Sequence, residues 1–421
     1  MSFSEKVFID KSLKGLTTFV IPTQIKDVVT ISGSLKGGEY HAKSYNSKIA
    51  SLSGSMLDKG TLNKTKHEIS ETLESLGADI SFVVSNHHIN FTAHCLSKDL
   101  ETVITLLSDL LQNPSYKDEE LSVLKKRLIG NLKRSKEDTK KQASINFLSE
   151  LYPENHPNAR YSIDDTIKMV ENVSSEDIKQ FHQQAYGLGS FNVVAAGDVD
   201  PDKFNKLIIG ELSNMQDQGI NLKIDTPAPK ESLQKEVRFN IIDKTSCDMF
   251  IGQTVNINED HSEYYSLMMG IYILGGNFSA RLMQTVRDKQ GLTYGIGSGL
   301  AGCSYGVNGH WYTWGTFSPE LLNEGFKATS DQIKSWYDNG VNAEELSSKK
   351  TTFTGSFQVG LDTTSGLVDR VLTNAEKGRE LDFLDNYNEL INDLDIKKIN
   401  EAIKKYIKPE NLTKSVAGSI D

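Results

Sequence analysis

The chain has 421 residues, with 46 Lys and Arg against 56 Asp and Glu, a formal net charge of −10. That length exceeds one ordinary core and predicts two domains; the acidic balance argues against a nucleic-acid partner, whose affinity comes from neutralising phosphates. The three cysteines, Cys95, Cys247 and Cys303, lie far apart and are odd in number, which reads as buried free thiols rather than a disulfide framework or a structural zinc site.

The start, MSFSEKVFIDKSLKG, has no apolar run long enough for a signal peptide, and no later stretch approaches the ~20 apolar residues of a membrane span. As written, the chain is expected to be soluble and cytoplasmic. In IASLSGSMLDKGT, Ile49 to Thr61, the spacing of Ile49, Leu52, Met56 and Leu57 predicts a helix with one apolar face, stopped at Gly60. Ile80 to Val84 predicts a strand, and the alternation of Ile89, Phe91, Ala93 and Cys95 another. His87, His88 and His94 fall in that strand-like stretch. Neighbours 87 and 88 point to opposite faces, and 88 and 94 are roughly 20 Å apart, so the three are not expected to share one ion. The basic run from Lys125 to Lys141, interleaved with Glu137 and Asp138, reads as a solvated helix face.

The chain looks duplicated. Asp177 to Asp200 and Asp395 to Asp421 each read as a helix, a short polar loop and a strand closing on small residues before an acidic turn, GDVD in one and GSID in the other. Between the halves, Gln216 to Gln234 is polar, carries Pro227 and Pro229, and shows no helical or strand period. The expected fold is α+β: two homologous domains, 1–215 and 236–421, joined by a linker over 216–235, each a mostly antiparallel sheet with helices packed on one side. Within the second half, ILGGNFSARLMQTVRDKQGLTYG, Ile273 to Gly295, reads as a glycine turn (Gly275, Gly276), a helix, a stop at Gly291 and a strand carrying Tyr294. Asn277 or Ser279 can cap that helix, with Phe278, Leu282 and Val286 on one face.

This last segment resembles the start of the second domain in the pitrilysin/insulinase family of zinc peptidases, the inverzincins, where the pattern is roughly GG-x-SSRL followed by VREKRGLxY. The resemblance covers essentially the whole chain and implies a clamshell-like pair of domains. It also implies a zinc helix after the first strand, resembling LAHFLEHMLFKGT, with an H-x-x-E-H motif. Met56, Leu57, Lys59, Gly60 and Thr61 set the register, which puts Ser51 and Ser55 at the two histidine positions and Gly54 at the glutamate. The third ligand of the family, a glutamate, would fall in LKKRLIGNLKRS, where Gly130 and Asn131 stand. Serine is a poor zinc ligand and glycine has no side chain, so no zinc chemistry is expected from this chain and no metal is expected on it.

The resemblance assigns Arg287 and Tyr294 to substrate contact. Hydroxide attack on a peptide carbonyl builds negative charge on oxygen, to which a guanidinium and a phenol are good donors. From spacing alone, Arg287 reads as a helix end making surface ion pairs and Tyr294 as a strand aromatic; the framing by GGNFSARL and GLTYG shifts both to substrate contact. Gly275 and Gly276 either let a backbone approach a partner or substrate, or start the helix. In active relatives the edge strand equivalent to Ile80–Val84 takes substrate as an added strand. The implied function is the non-catalytic subunit of a heterodimeric zinc metallopeptidase. A homologous partner bearing H-x-x-E-H would hold the zinc and the general base, and an unfolded peptide would be the substrate. The alternative is a scaffold or peptide-binding protein without peptidase role. Since many relatives are periplasmic, that address applies if a signal peptide has been removed.

Overall fold

The computed structural model describes residues 2–42, 46–216, 226–230 and 234–420. They pack as two compact units, each assembled from three stretches of chain. The first unit comprises Met1–Ile129, Thr166–Ile224 and Ser356–Tyr387, and the second Gly130–Asp165, Asp225–Gly355 and Asn388–Asp421. The expected linker over 216–235 lies largely outside the described residues.

The first unit is built on a six-stranded sheet of β1 (Phe8–Asp10), β2 (Leu16–Pro22), β3 (Val28–Lys36), β4 (Asp79–Val84), β5 (His88–Leu96) and β6 (Phe191–Gly197). Its spatial order is β1-β2-β6-β3-β5-β4, and only β2 and β6 run parallel. The second unit has β7 (Lys235–Asn240), β8 (Cys247–Thr254), β9 (Gly295–Ala301), β10 (His310–Phe317) and β11 (Thr413–Gly418), in the order β7-β11-β8-β10-β9. Here too a single pair, β7 and β11, is parallel. With β1 set aside, the two orders are the same, so the duplication read from the sequence is a duplication of sheet topology.

The shared strand ends have a common cause. β6 and β11 each close on a glycine with positive φ, Gly197 at +134° and Gly418 at +151°. A Cβ on Gly197 would stand 2.1 Å from the Val28 carbonyl oxygen, and one on Gly418 would stand 2.6 Å from Cys247 Sγ. Only glycine lets the closing strand pass its neighbour that closely. The helices before these strands are capped as their sequences suggest, by Ser174 in a capping box with Asp177 and by Asp395.

Sheet alternation splits each unit into two cores. In β6, Phe191, Val193 and Ala195 join a core with Leu52 and Met56 of the Lys48–Met56 helix and Val103 and Leu107 of the Leu100–Gln112 helix. Val194 and Ala196, on the other face, pack against Leu367, Val368, Val371 and Leu372 of the Thr364–Glu376 helix. In the second unit, Trp311 of β10 stacks on Trp336 of the Leu322–Asn339 helix at 6.0 Å. On the opposite face, Phe250 and Ala417 form a core with Ala143, Phe147 and Leu151 of the Thr139–Leu151 helix. Each sheet thus carries helices on both faces. The helix on the second face comes from the other half of the sequence: Thr139–Leu151 lies in the second unit and Thr364–Glu376 in the first.

No helix among the described residues is long and apolar enough to cross a membrane. The three cysteines are free and buried, and burial pushes the Cys95 and Cys303 thiols up to about 11 and about 12.

Candidate functional site

The helix Lys48–Met56 forms where the apolar spacing places it, with Leu52, Met56 and Leu57 almost fully buried. Ser51 and Ser55 sit one turn apart on it. Ser51 Oγ donates to Glu39 Oε1, which also accepts from Lys48 Nζ at 2.6 Å, and Ser55 is exposed. Gly54 is buried against β4: a Cβ there would meet Val84 Cγ2 at 2.4 Å. The space a glutamate side chain would need is therefore already filled by a strand residue. Between these positions, Ser53 Oγ donates to the Tyr186 hydroxyl at 3.0 Å and lies 3.2 Å from that of Tyr116, a buried polar cluster beneath the helix. Asn131 belongs to the second unit, exposed on the Asp118–Ser135 helix, where its side-chain oxygen accepts from Arg134. This donor set does not suit zinc. Among the described residues, no three His, Cys, Asp or Glu side chains are grouped as metal ligands would be.

His87 lies in the turn between β4 and β5 rather than in a strand, and His88 begins β5. Burial brings both imidazoles down to about 4. His94, further along β5, is half-buried, with Nδ1 3.2 Å from Asp79.

In the second unit the segment from Ile273 departs from expectation in one respect and gains a feature in another. Gly275 ends the Tyr264–Gly275 helix and Gly276 is its C-cap, so the pair closes one helix rather than starting the next. Both glycines are required by packing. A Cβ on Gly275 would stand 2.5 Å from the Ser298 amide nitrogen of β9, and one on Gly276 would stand 2.1 Å from the Tyr272 ring. Leu282 and Val286 are fully buried, as their spacing predicts, whereas Phe278 is 81% exposed in the intervening turn. The following helix is wound as a π-helix over Met283–Lys289, with the Gln290 amide donating to the Thr285 carbonyl at 3.1 Å and Gly291 closing it at φ +66°. Single π turns inside helices recur at functional positions.

That winding places Arg287 beside Tyr294. Arg287 Nε donates to the Tyr294 carbonyl at 3.1 Å, and the guanidinium carbon lies 5.6 Å from the Tyr294 ring centre. Nη1 donates to Asp288 at 2.9 Å. Nη2 and the Tyr294 hydroxyl have no hydrogen-bond partner among the described residues, and Tyr294 is 89% exposed. The structure therefore brings the two residues side by side, facing solvent, with two open donors.

Three residues that pattern and motif did not single out hold this segment. Arg281 forms a two-pronged pair with Glu345, donating from Nε to one carboxylate oxygen and from Nη2 to the other at 2.6 Å, and also donates to the Gly340 carbonyl at 2.7 Å. Lys349, only 3% exposed, donates to Asn277 Oδ1 at 3.0 Å, the Ser279 carbonyl at 3.0 Å and Ser279 Oγ at 2.6 Å. Burial holds its ammonium below the ordinary lysine value. These partners are some sixty to seventy positions apart in the chain, at |i−j| of 64 and 72, so no local spacing reveals them.

A second feature of the unit lies under the Thr139–Leu151 helix, where Phe147, Phe250, His310, Tyr312 and Trp314 line an open cavity of about 310 Å³. Burial, reinforced by the charges of Arg160 and His156, brings His310 down to about 3; its Nδ1 lies 3.1 Å from the Tyr152 hydroxyl.

Comparison with known proteins points one way. The profile of the peptidase M16 inactive domain matches residues 172–353, and that of insulinase (peptidase family M16) matches residues 19–161. A non-peptidase homolog, YmxG, of Helicobacter pylori is 22% identical over 373 residues, spanning 88% of this chain and 84% of that one. An uncharacterized zinc protease of Rickettsia felis is 24% identical over 355 residues, spanning 82% of each. Among solved structures, a peptidase M16 inactive domain from Pseudomonas fluorescens superposes with a TM-score of 0.88 at 21% identity, covering 98% of both chains. The periplasmic protease PqqL of Escherichia coli matches with a TM-score of 0.79 at 13% identity, over 96% of this chain and 44% of that one. At these identities the structural likenesses establish the fold.

Proposed function

The chain belongs to the peptidase M16 (insulinase) family, on its inactive-domain side, and from that premise we propose that it is the non-catalytic subunit of a two-chain zinc peptidase. One observation carries the reading: Arg287 and Tyr294 are held together with Nη2 and the phenol hydroxyl open to solvent. A surface pair of this kind contributes little to folding. As donors to the oxygen of a peptide carbonyl under attack, the same two groups are worth far more, on the order of 3 kcal/mol of barrier for one such donor.

In this reading Ser51, Gly54, Ser55 and Asn131 mark a zinc site that has been lost, and zinc and the general base belong to a homologous H-x-x-E-H partner. This chain binds the unfolded peptide, orients its carbonyl and stabilises the oxyanion. Phe278, exposed in the turn before the π-helix, adds apolar surface on the same segment for peptide side chains.

The test is a gentle pull-down of the chain from its native cells, with co-purifying proteins identified by mass spectrometry. A stoichiometric partner of similar size carrying H-x-x-E-H is the expected result. Recovery of the chain alone, or within a large assembly lacking such a partner, would replace this reading with a scaffold or peptide-binding role.

A further inference from the structure

The two sheets share one strand order, but only the first is covered at its leading edge. There β1 lies antiparallel along the outer side of β2, with Phe8 opposite Val20 and Asp10 opposite Thr18. In the second unit β7 holds the place of β2, parallel to β11 as β2 is to β6, and no strand lies outside it among the described residues. Every residue of β7 is exposed except Val237, which is half-buried. The Ile241 amide donates to the Gly418 carbonyl of β11 at 2.8 Å. Backbone groups alternate sides along a strand, so those of Val237 and Phe239 also face β11, and those of Glu236, Arg238 and Asn240 point outward. An edge of this kind is a template for another strand.

The charges of β7 select the occupant. Glu236 and Arg238 share one face, and Arg238 Nε donates to Glu236 Oε1 at 2.7 Å. Two copies of β7 paired antiparallel through their outward groups can slide only in steps of two residues. With the axis at Val237, Glu236 of each copy stands opposite Arg238 of the other, closing a ring of four charges of alternating sign. With the axis at Glu236 or at Arg238, like charges meet across it. On the other face, the Val237 register sets valine against valine and Phe239, 39% exposed, against the stem of Lys235. We infer that β7 pairs with β7 of a second copy of this chain across a two-fold axis at Val237, making one continuous sheet from two of five strands. The surface lies within the second unit, does not involve Arg287 or Tyr294, and stands independently of the peptidase-partner reading.

The experiment is sedimentation velocity on the full chain alone, from about 1 to 200 µM. So short a strand pair buries less than a standard interface, so a reversible dimer is expected with Kd on the order of tens of micromolar. Glu236→Arg and Arg238→Glu each place like charges opposite one another twice per dimer, and each is expected to weaken self-association at least about tenfold. Mixed in equal amounts, the two variant chains are complementary and should pair as the unaltered chain does; the double swap Glu236→Arg with Arg238→Glu should also dimerise. Both positions are exposed, so unfolding midpoints should not move, and recovery in the mixture shows that each variant is folded. Amide exchange gives a second reading: the Glu236 and Arg238 amides should gain protection as concentration rises, while Val237 and Phe239, already bonded to β11, should not change. A chain that stays monomeric at 200 µM, a dimer indifferent to both reversals, or reversed chains that fail to pair when mixed would each overturn the inference.

Discussion

The Lys48–Met56 helix of the first unit and the π-helix segment ending at Tyr294 in the second treat their polar groups in opposite ways. On the first, Ser51 is bonded to Glu39, Ser53 to a tyrosine hydroxyl, and the space beside Gly54 is taken by Val84. On the second, Arg287 and Tyr294 are fixed to each other yet leave two donors open. Interiors are close-packed, so the space beside Gly54 is occupied by its neighbour Val84. Donors left open on an exposed segment are not accounted for by packing. The contrast is between a helix whose polar groups and free space are taken up internally and a segment that leaves two donors facing solvent.

The largest effect should come from trying to reopen the closed region. Gly54→Glu forces a side chain into Val84 and buries a carboxylate, and a loss of about 4 kcal/mol in urea unfolding is expected. Pairing it with Val84→Ala should recover part of that loss, and full additivity would show that the two sites do not touch. Next, Arg287→Ala should lower turnover of the chain with its partner about 100-fold, about 3 kcal/mol in barrier, while changing stability by less than about 0.5 kcal/mol. Tyr294→Phe isolates the hydroxyl, and a normal rate in both variants would remove the functional half of the contrast. Lys349→Met strips Asn277 and Ser279 of a shared donor. A loss of about 2 kcal/mol is expected, with faster amide exchange at residues 277–280.

The smallest effect is on pH dependence. His88 titrates at about 4 in the fold against an ordinary value of 6.5, so below the latter the unfolded chain binds the extra proton. Its contribution is therefore fully present above pH 6.5 and is lost as the pH falls towards about 4. His88→Phe should flatten the stability slope in that window by about 1 kcal/mol per pH unit, read from urea midpoints at several pH values. An unchanged slope would show that His88 is not buried neutral.

Much of this was legible in the chain itself. Helical spacing located Leu52 and Met56 in the core, and the paired endings GDVD and GSID announced the repeated topology. The Arg287–Tyr294 pairing followed from the motif that frames it. What escaped was decided by long-range packing. Phe278 shares the four-residue spacing of Leu282 and Val286, but the turn at Asn277–Ala280 interrupts the helix and turns it outward. Gly275 and Gly276 read as admitting a partner or substrate backbone or as starting the next helix; instead they end the preceding one, in close approach to Ser298 and Tyr272. The pattern of the Thr139–Leu151 helix marks it for burial but carries no information about which sheet receives it.

That last point reaches into biosynthesis. Phe147 finishes its packing only when Ala417 arrives, at the far end of the chain. At ordinary rates of translation the ribosome needs roughly tens of seconds to span that interval. Until then the apolar face of the Thr139–Leu151 helix has at most β8, through Phe250, to cover it, which makes the second half of the message a condition for the first half's solubility. A transcript truncated between the repeats would then yield an aggregation-prone fragment rather than a free-standing domain.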